Sequence, residues 1–299
     1  MRKTKVTEIV YKPFAEKLVN IMKLQLEKPK SQQRWDRVFR GKGAPINAQT
    51  KNVYRGINYM MAQYDTYLNE YKHCIYATEK QWKILNCEVV KGSPSLPVVF
   101  YKTFFEDSKI VKGKKVVSGS ILLYSKVYNV KFIDGDYKPA EFKSGKQYSI
   151  SEIDNFVTAT KVNIDNTDGK GCFYNRTNDF INMELKSNFK DTTEANATVH
   201  YYSTLFHELT HSTGHDSRTG RIKKNKEKLL ATKEYAFEEL VAELGSVLFG
   251  QQFNIEKTIR GNHIQYLNSW IKALKNDYTL IADASAQAQK AVDFFTSTK

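Results

Sequence analysis

The sequence predicts an α+β protein in two unlike parts. A small basic N-terminal α+β domain covers residues 1–134, a linker 135–150, and a mainly helical domain with a small edge sheet 151–299. Three observations support this division. Helical periodicity marks both ends of the chain, whereas apolar–polar alternation is concentrated between Cys87 and Val130. A polar stretch from Asp134 to Tyr148, with glycines and lysines, interrupts both patterns. The charge also divides: residues 1–115 hold 23 Lys+Arg against 10 Asp+Glu, a net of +13, and residues 116–299 hold 23 against 22, a net of +1.

Each element follows from its local pattern. Over residues 6–28, Phe14, Leu18, Ile21, Met22 and Leu26 fall on one stripe, which predicts an amphipathic helix closing over the N-terminal domain. Gly41, Gly43 and Pro45 mark a loop, and Val53–Asn58 leads into a tyrosine-rich helix ending near Tyr71. Thr78 is placed to cap a short helix to Leu85. Cys87–Val90, Leu96–Phe104, Lys115–Val117 and Ser120–Val130 read as strands of a small antiparallel sheet. Helical spacing resumes after Ser151. Cys172–Tyr174 reads as a strand and Asp179–Leu185 as an edge strand. Helices then follow over Tyr201–Ser212, with Gly214 as the C-cap residue, over Glu234–Phe249, over His263–Lys275 and over Tyr278–Phe295.

Composition narrows the class. A hydrophobic content of 41% excludes wholesale disorder. No run approaches the roughly 18 apolar residues that cross a bilayer. The basic start, Met1 to Lys5, has no apolar segment behind it, so no signal peptide is expected. Cys74, Cys87 and Cys172 are odd in number and lack metal-type spacing, which fits free thiols in a reducing, cytoplasmic setting. The concentration of positive charge points to a polyanionic partner for the first domain.

The chemistry is concentrated in His207-Glu-Leu-Thr-His-Ser-Thr-Gly-His215, nine residues that hold three of the six histidines. On a helix, His207 and His211 project from one face one turn apart, as two ligands of a tetrahedral metal require. Glu208 follows the first histidine and suits the general base of metal-assisted hydrolysis. A catalytic zinc takes a third protein ligand. The metzincin arrangement would need a histidine at position 217, which is Ser217. The remaining candidate is a carboxylate on the next helix, as in gluzincins, from Tyr235-Ala-Phe-Glu-Glu-Leu-Val-Ala-Glu243. Glu239 and Glu243 share a helical face, and Glu238 is rotated by about 100° from Glu239. Glu239 is therefore assigned as the ligand and Glu243 as the carboxylate that orients a ligand histidine. Glu238 and Glu243 are the alternative ligands. His215, behind the helix-breaking Gly214, is assigned a structural or substrate-binding role, with ligation as the alternative. Tyr235 and Arg218 are candidate donors to an oxyanion. Zn2+ is the expected cofactor, with Mn2+ or another divalent ion as the alternative.

Several further blocks are recognisable. In the first part they are Pro45-Ile-Asn47, Tyr54-Arg-Gly-Ile-Asn58, Thr78 with Gln81, Val90-Lys-Gly92 and Val127-Tyr-Asn-Val130. In the second they are Tyr174, Asp179-Phe-Ile181, Tyr201 to His207, the metal motif, Tyr235 to Glu243, and Tyr266 with Trp270 and Leu274-Lys275. On these residues, in this order and spacing, nearly the whole chain resembles the ArdC-like antirestriction proteins of plasmids. It departs from them at Ser212, where tryptophan is usual, and at Arg221-Ile-Lys223, where an Arg-Leu segment is more typical.

The resemblance implies a single-stranded DNA-binding domain joined to a zincin-like metallopeptidase domain. It implies single-stranded DNA and a protein substrate as partners, with no membrane. Single strands are held by cations along the phosphates and by aromatic faces under the bases. Arg34, Arg37, Arg40, Lys42 and Arg55 are the candidate cations, near Trp35 and Tyr54, with Asn58 in the same block and Arg55 foremost. Trp35 and Trp82 are equally readable as core residues. Two other functions fit the sequence. One is a DNA-binding protein whose metal domain is structural or regulatory. The other is a metallopeptidase whose basic domain serves another partner.

Overall fold

The computed structural model describes residues 4–28, 39, 43–107, 115–139, 149–192, 195–222, 233–253, 255 and 264–297. Helix α1 (Lys5–Leu26) opens with a reciprocal cap between Thr4 and Thr7 and buries Phe14, Leu18 and Met22. Strand β1 (Ile46–Asn47) and helix α2 (Ile57–Leu68) follow, then β2 (Ile75–Ala77), α3 (Glu79–Ile84) and β3 (Cys87–Val89). Two long strands, β4 (Leu96–Asp107) and β5 (Lys115–Asn129), precede β6 (Ile133–Gly135). The main sheet has the order β1-β2-β5-β4, while β3 and β6 form a separate ribbon. Gly56 starts α2 at φ 54°, a left-handed conformation that a glycine adopts without strain.

The sheet differs from expectation in two ways. Lys115–Val117 and Ser120–Val130 are one strand, paired with β4 along its length through a register shift at Phe104/Phe105. The irregularity falls beside Ser118-Gly119, so the alternation breaks in the sequence while the strand continues. The sheet is also not wholly antiparallel, because β1 runs parallel to β2. Strands of two or three residues are too short to show a period.

The second part begins with α4 (Ile150–Ala159), capped by Ser149 through a reciprocal bond with Glu152. Strands β7 (Asn163–Asn166), β8 (Phe173–Asn175) and β9 (Phe180–Met183) form a small sheet of order β7-β9-β8. The expected edge strand is therefore the central one: β9 pairs parallel with β7 and antiparallel with β8. Its Ile181 and Met183 are fully buried. Among the described residues, four helices follow: α5 (Ala197–Ser212), α6 (Lys233–Phe253), α7 (Ile264–Asn276) and α8 (Leu280–Thr296). Helix α6 packs against α5, α7 and α8, which explains why it is apolar nearly all round.

The N-terminal helix is not a lid on its own domain. Its main neighbour is α7, with smaller contacts to β4, β5 and α8. One hydrophobic cluster contains Leu18, Met60 and Val99 together with Phe206, Leu244 and Trp270, so apolar packing continues from one part into the other. Polar links accompany it: Tyr59 Oη bonds Gln251 at 3.2 Å, and the Gly56 amide donates to Gln289 at 3.2 Å. A separate small cluster around Trp82 includes Ile133 and Tyr137. Among the described residues, no helix is long and apolar enough to cross a membrane.

Candidate metal centre

Helix α5 starts at an Asn196 cap and carries His207, Glu208 and His211 through the core, where His207 and Glu208 are buried. Helix α6 crosses it closely because Gly245 has no side chain. A Cβ there would lie 2.4 Å from Thr210 Cγ2. Ser246 Oγ adds a bond to the Ser203 carbonyl at 3.0 Å. This crossing brings the acids of α6 against the histidines of α5. Gly245→Ala is expected to push the helices apart, with a loss of stability of about 1–3 kcal/mol and weaker metal binding; thermal melting and metal titration check both.

The two Nε2 atoms of His207 and His211 stand 3.0 Å apart. Glu239 places Oε2 3.6 Å from His207 Nε2 and Oε1 3.4 Å from His211 Nε2. Among the described residues, these three make up the one group of such side chains whose ligand atoms all lie within 4.8 Å of one another. The outer nitrogens face the other two acids. His207 Nδ1 is 3.2 Å from Glu243 Oε1, and His211 Nδ1 is 3.1 Å from Glu238 Oε1. The Glu238 carboxylate accepts the Nδ1 proton of His211, and Glu243 faces Nδ1 of His207 at ion-pair distance, which together favour a lone pair on each Nε2. Two such lone pairs and a carboxylate, converging inside a buried site, suit a cation between them. Bonds of about 2.0–2.1 Å in a tetrahedron put ligand atoms about 3.4 Å apart, close to what the three residues present. The donor set fits a divalent ion.

Arg221 completes the arrangement, and sequence reasoning gave it no role. It forks onto Glu238 at 2.9 and 2.7 Å and also donates to the Thr210 carbonyl at 2.9 Å and Thr213 Oγ1 at 3.0 Å. Glu238 is thus held against His211 from behind. Gly214, read as the C-cap residue, lies one position past the cap and has another purpose. Thr213 is the cap of α5, in a right-handed conformation. A Cβ on Gly214 would lie 2.4 Å from Ile222 Cγ1, so glycine lets the chain fold back and deliver Arg221.

The charges are tightly coupled. Burial works against a charged His211, but Glu239 and Glu238 outweigh it and hold its pKa up at about 10. Burial favours a neutral Glu239, yet His211 and His207 drive its pKa far below the usual carboxylate range. Burial likewise opposes a charged Glu238, and Arg221 followed by His211 overcomes it. At neutral pH the metal-free site therefore carries a proton on His211 that an ion must displace. Metal uptake is expected to release about one proton per ion and to strengthen roughly tenfold per pH unit towards pH 10. Calorimetry in buffers of different ionisation enthalpy reads that proton, and its absence would contradict the charge state. Because the folded pKa is raised, the stabilisation of the metal-free protein is complete below the ordinary value of 6.5 and is lost as pH rises to about 10.

The other predicted site residues are placed as follows. His215 Nδ1 is 2.8 Å from Ser217 Oγ and 3.6 Å from Asp179 Oδ2, outside the metal group. Arg218 chelates Asp179 and donates to the Ser212 carbonyl at 2.7 Å, which braces β9 against the end of α5. Tyr235 shares a 2.9 Å bond with Tyr266. Burial first, and then the Glu239 charge beside it, raise its pKa.

Of the candidate DNA contacts, Arg34, Trp35, Arg37, Arg40 and Lys42 lie outside the described residues. Tyr54 Oη accepts from Asn47 and donates to the Tyr76 carbonyl, both at 3.2 Å. Arg55 is exposed and pairs with Asp293 of α8. Asn58 is occupied by the backbone of β4, donating to the Val99 carbonyl at 2.7 Å and accepting its amide at 2.8 Å. Trp82 is fully buried and donates to the Tyr128 carbonyl at 3.2 Å.

A HExxH helix and an acidic helix around one ion-sized gap, beside a mixed sheet, define a zincin-like domain, and residues 151–287 match the family of zincin-like metallopeptidases. Residues 9–130 match the N-terminal domain of the anti-restriction factor ArdC, and the chain belongs to the ArdC-like proteins that join these two domains. Crystal structures of antirestriction ArdC from plasmid R388 resemble it at a TM-score of 0.73. The metal-free form is 28% identical, covering 96% of each chain; the Mn(II)-bound form is 29% identical, covering 96% of this chain and 97% of that one. DNA primase TraC of Escherichia coli is 29% identical over 304 residues, which take in 95% of this chain but 27% of the primase. The chain thus spans about a quarter of that relative's length. The protein y4eC of Sinorhizobium fredii is 27% identical over 256 residues, 84% of this chain and 80% of that protein.

Proposed function

We propose that this ArdC-like protein binds single-stranded DNA through residues 1–134 and carries a zinc-dependent peptidase centre in residues 151–299, in defence of incoming DNA against restriction. The observation that carries the peptidase reading is the convergence of His207, His211 and Glu239, with Glu208 next to the first histidine. Two nitrogens and one oxygen suit zinc, and Mn(II), which R388 ArdC binds, is the alternative ion. An ion held there would acidify a water and polarise a peptide carbonyl. Glu208 takes the proton of the attacking water and returns it to the leaving amine. Tyr235, kept protonated by burial and by Glu239, donates to the oxygen on which charge develops. Glu243 and Glu238 hold the two histidines in the tautomer that ligation needs.

The DNA reading is supported by the +13 charge of residues 1–115 and by relatives that are themselves an antirestriction protein and a primase. Free thiols at Cys74, Cys87 and Cys172 suit a reducing compartment such as the cytoplasm. Fluorescence anisotropy with a single-stranded oligonucleotide and its duplex tests the reading. Preference for the single strand, weakening steeply with salt, is expected. Absence of binding at low salt would assign the basic half to another partner.

A further inference from the structure

We propose that the outer part of the β4–β5 hairpin is a base-stacking platform, with Phe100, Lys102 and Phe104 on one face as its contact residues. This assignment rests on the single-stranded DNA reading above. Among the described residues, the two strands pair beyond Phe100 only with each other, since β2 meets β5 at Tyr128 and Asn129 alone. A two-stranded ribbon is marginal by itself, and its solvent-facing side has no packing reason to carry large rings. Yet five of the eight exposed aromatic residues of the described surface are here: Phe100, Tyr101, Phe104, Phe105 and Tyr124.

Their placement is ordered. Alternation along β4 puts Phe100, Lys102 and Phe104 on one face and Tyr101 and Phe105 on the other. Tyr101 and Phe105 are themselves exposed, but Leu122 opposite Tyr101 packs against the main core, whereas among the described residues Phe100, Phe104, Ile121 and Leu123 of the first face do not. On the first face Leu123 stands opposite Phe100, Ile121 opposite Lys102 and Gly119 opposite Phe104. A Cβ on Gly119 would meet nothing within 4 Å, and its φ is not one that demands glycine. Where a valine could shield the ring, the chain leaves Phe104 bare at 41% exposure. Lys102 Nζ lies 5.7 Å from the Phe104 ring centre, a cation beside an aromatic face.

Charge selects the occupant. Residues 96–129 contain six lysines and two acids, a net of +4, and no arginine. Rings four residues apart on a strand are about 13 Å apart, a span of roughly two nucleotides, with the Lys102 ammonium between them for a phosphate. Stacking on rings tolerates any base, as a protein that meets foreign DNA of any sequence needs.

The test is anisotropy of the full-length protein with a fluorescein-labelled oligothymidylate, beside an abasic strand of equal length. Phe100→Ala and Phe104→Ala are each expected to weaken binding roughly tenfold or more without changing its salt dependence. Phe104→Leu should be nearly as weak, because it keeps the apolar bulk but not the ring. Gly119→Val should weaken binding without lowering the melting temperature, by covering the Phe104 face. The abasic strand should bind wild type and the phenylalanine variants alike. Variants that match wild type on oligothymidylate would overturn the platform while leaving DNA binding intact, whereas a wild type that ignores the oligonucleotide would overturn the DNA reading itself. Full rescue by leucine, or ring-dependent capture on phosphatidylglycerol vesicles that oligothymidylate does not compete away, would replace the platform by a general apolar contact or a lipid surface.

Discussion

Glu239→Ala is expected to abolish stoichiometric zinc binding, while Glu238→Gln and Glu243→Gln leave a functional site weakened by about 10–100-fold. The asymmetry follows from which nitrogen each acid faces. Only Glu239 reaches both Nε2 atoms, at 3.6 and 3.4 Å, whereas Glu243 and Glu238 contact the Nδ1 atoms of His207 and His211. Losing Glu239 removes a donor from the ion itself. Losing either neighbour removes the acceptor that fixes a tautomer, and the amide of glutamine partly replaces it. Glu239→Gln keeps the volume and separates loss of ligation from loss of folding. Competition with a chromophoric chelator reads all four affinities. A Glu243 or Glu238 variant that loses zinc while Glu239→Ala retains it would reassign the ligand.

Glu208→Gln is expected to keep the ion and lose cleavage, by about the 100- to 10,000-fold that a positioned general base contributes. The residue is buried beside His207, and glutamine matches its shape but cannot take a proton. Metal content and digestion of an unfolded protein substrate, measured on the same preparation, give the two readouts. Retained cleavage in this variant would move the base elsewhere. A wild type that binds zinc yet cleaves nothing would favour a structural or regulatory metal domain.

Much of this centre is legible in the sequence, for a physical reason. Helical spacing is periodic, so His207 and His211 declare a shared face, and acids in an otherwise apolar α6 declare a need for partners. The rotation of about 100° between Glu238 and Glu239 separates their directions, but which nitrogen each acid meets depends on how α6 crosses α5. That crossing depends on Gly245, whose signal is only a glycine inside a helix. Arg221 is harder still, because it arrives from a non-repetitive segment folded back over Gly214.

The sheets show the same contrast. The long pattern of β4 is readable, although its partner looks broken at Ser118-Gly119. Parallel β7 and the short β1 and β2 leave no period to read. In the N-terminal part, Arg55 and Asn58 stand in a recognisable block, and their side chains meet Asp293 and the Val99 backbone. Sequence alone cannot distinguish a polar side chain reserved for a distant strand from one reserved for a ligand.

The claim on which the account depends most is that His207, His211 and Glu239 hold one ion. X-ray absorption at the zinc edge, on full-length protein loaded with one equivalent, tests it most directly. The expected shell is two imidazole nitrogens with oxygen donors at about 2.0–2.2 Å. A sulfur shell near 2.3 Å would instead place the ion on cysteine, and the proposed centre would be wrong.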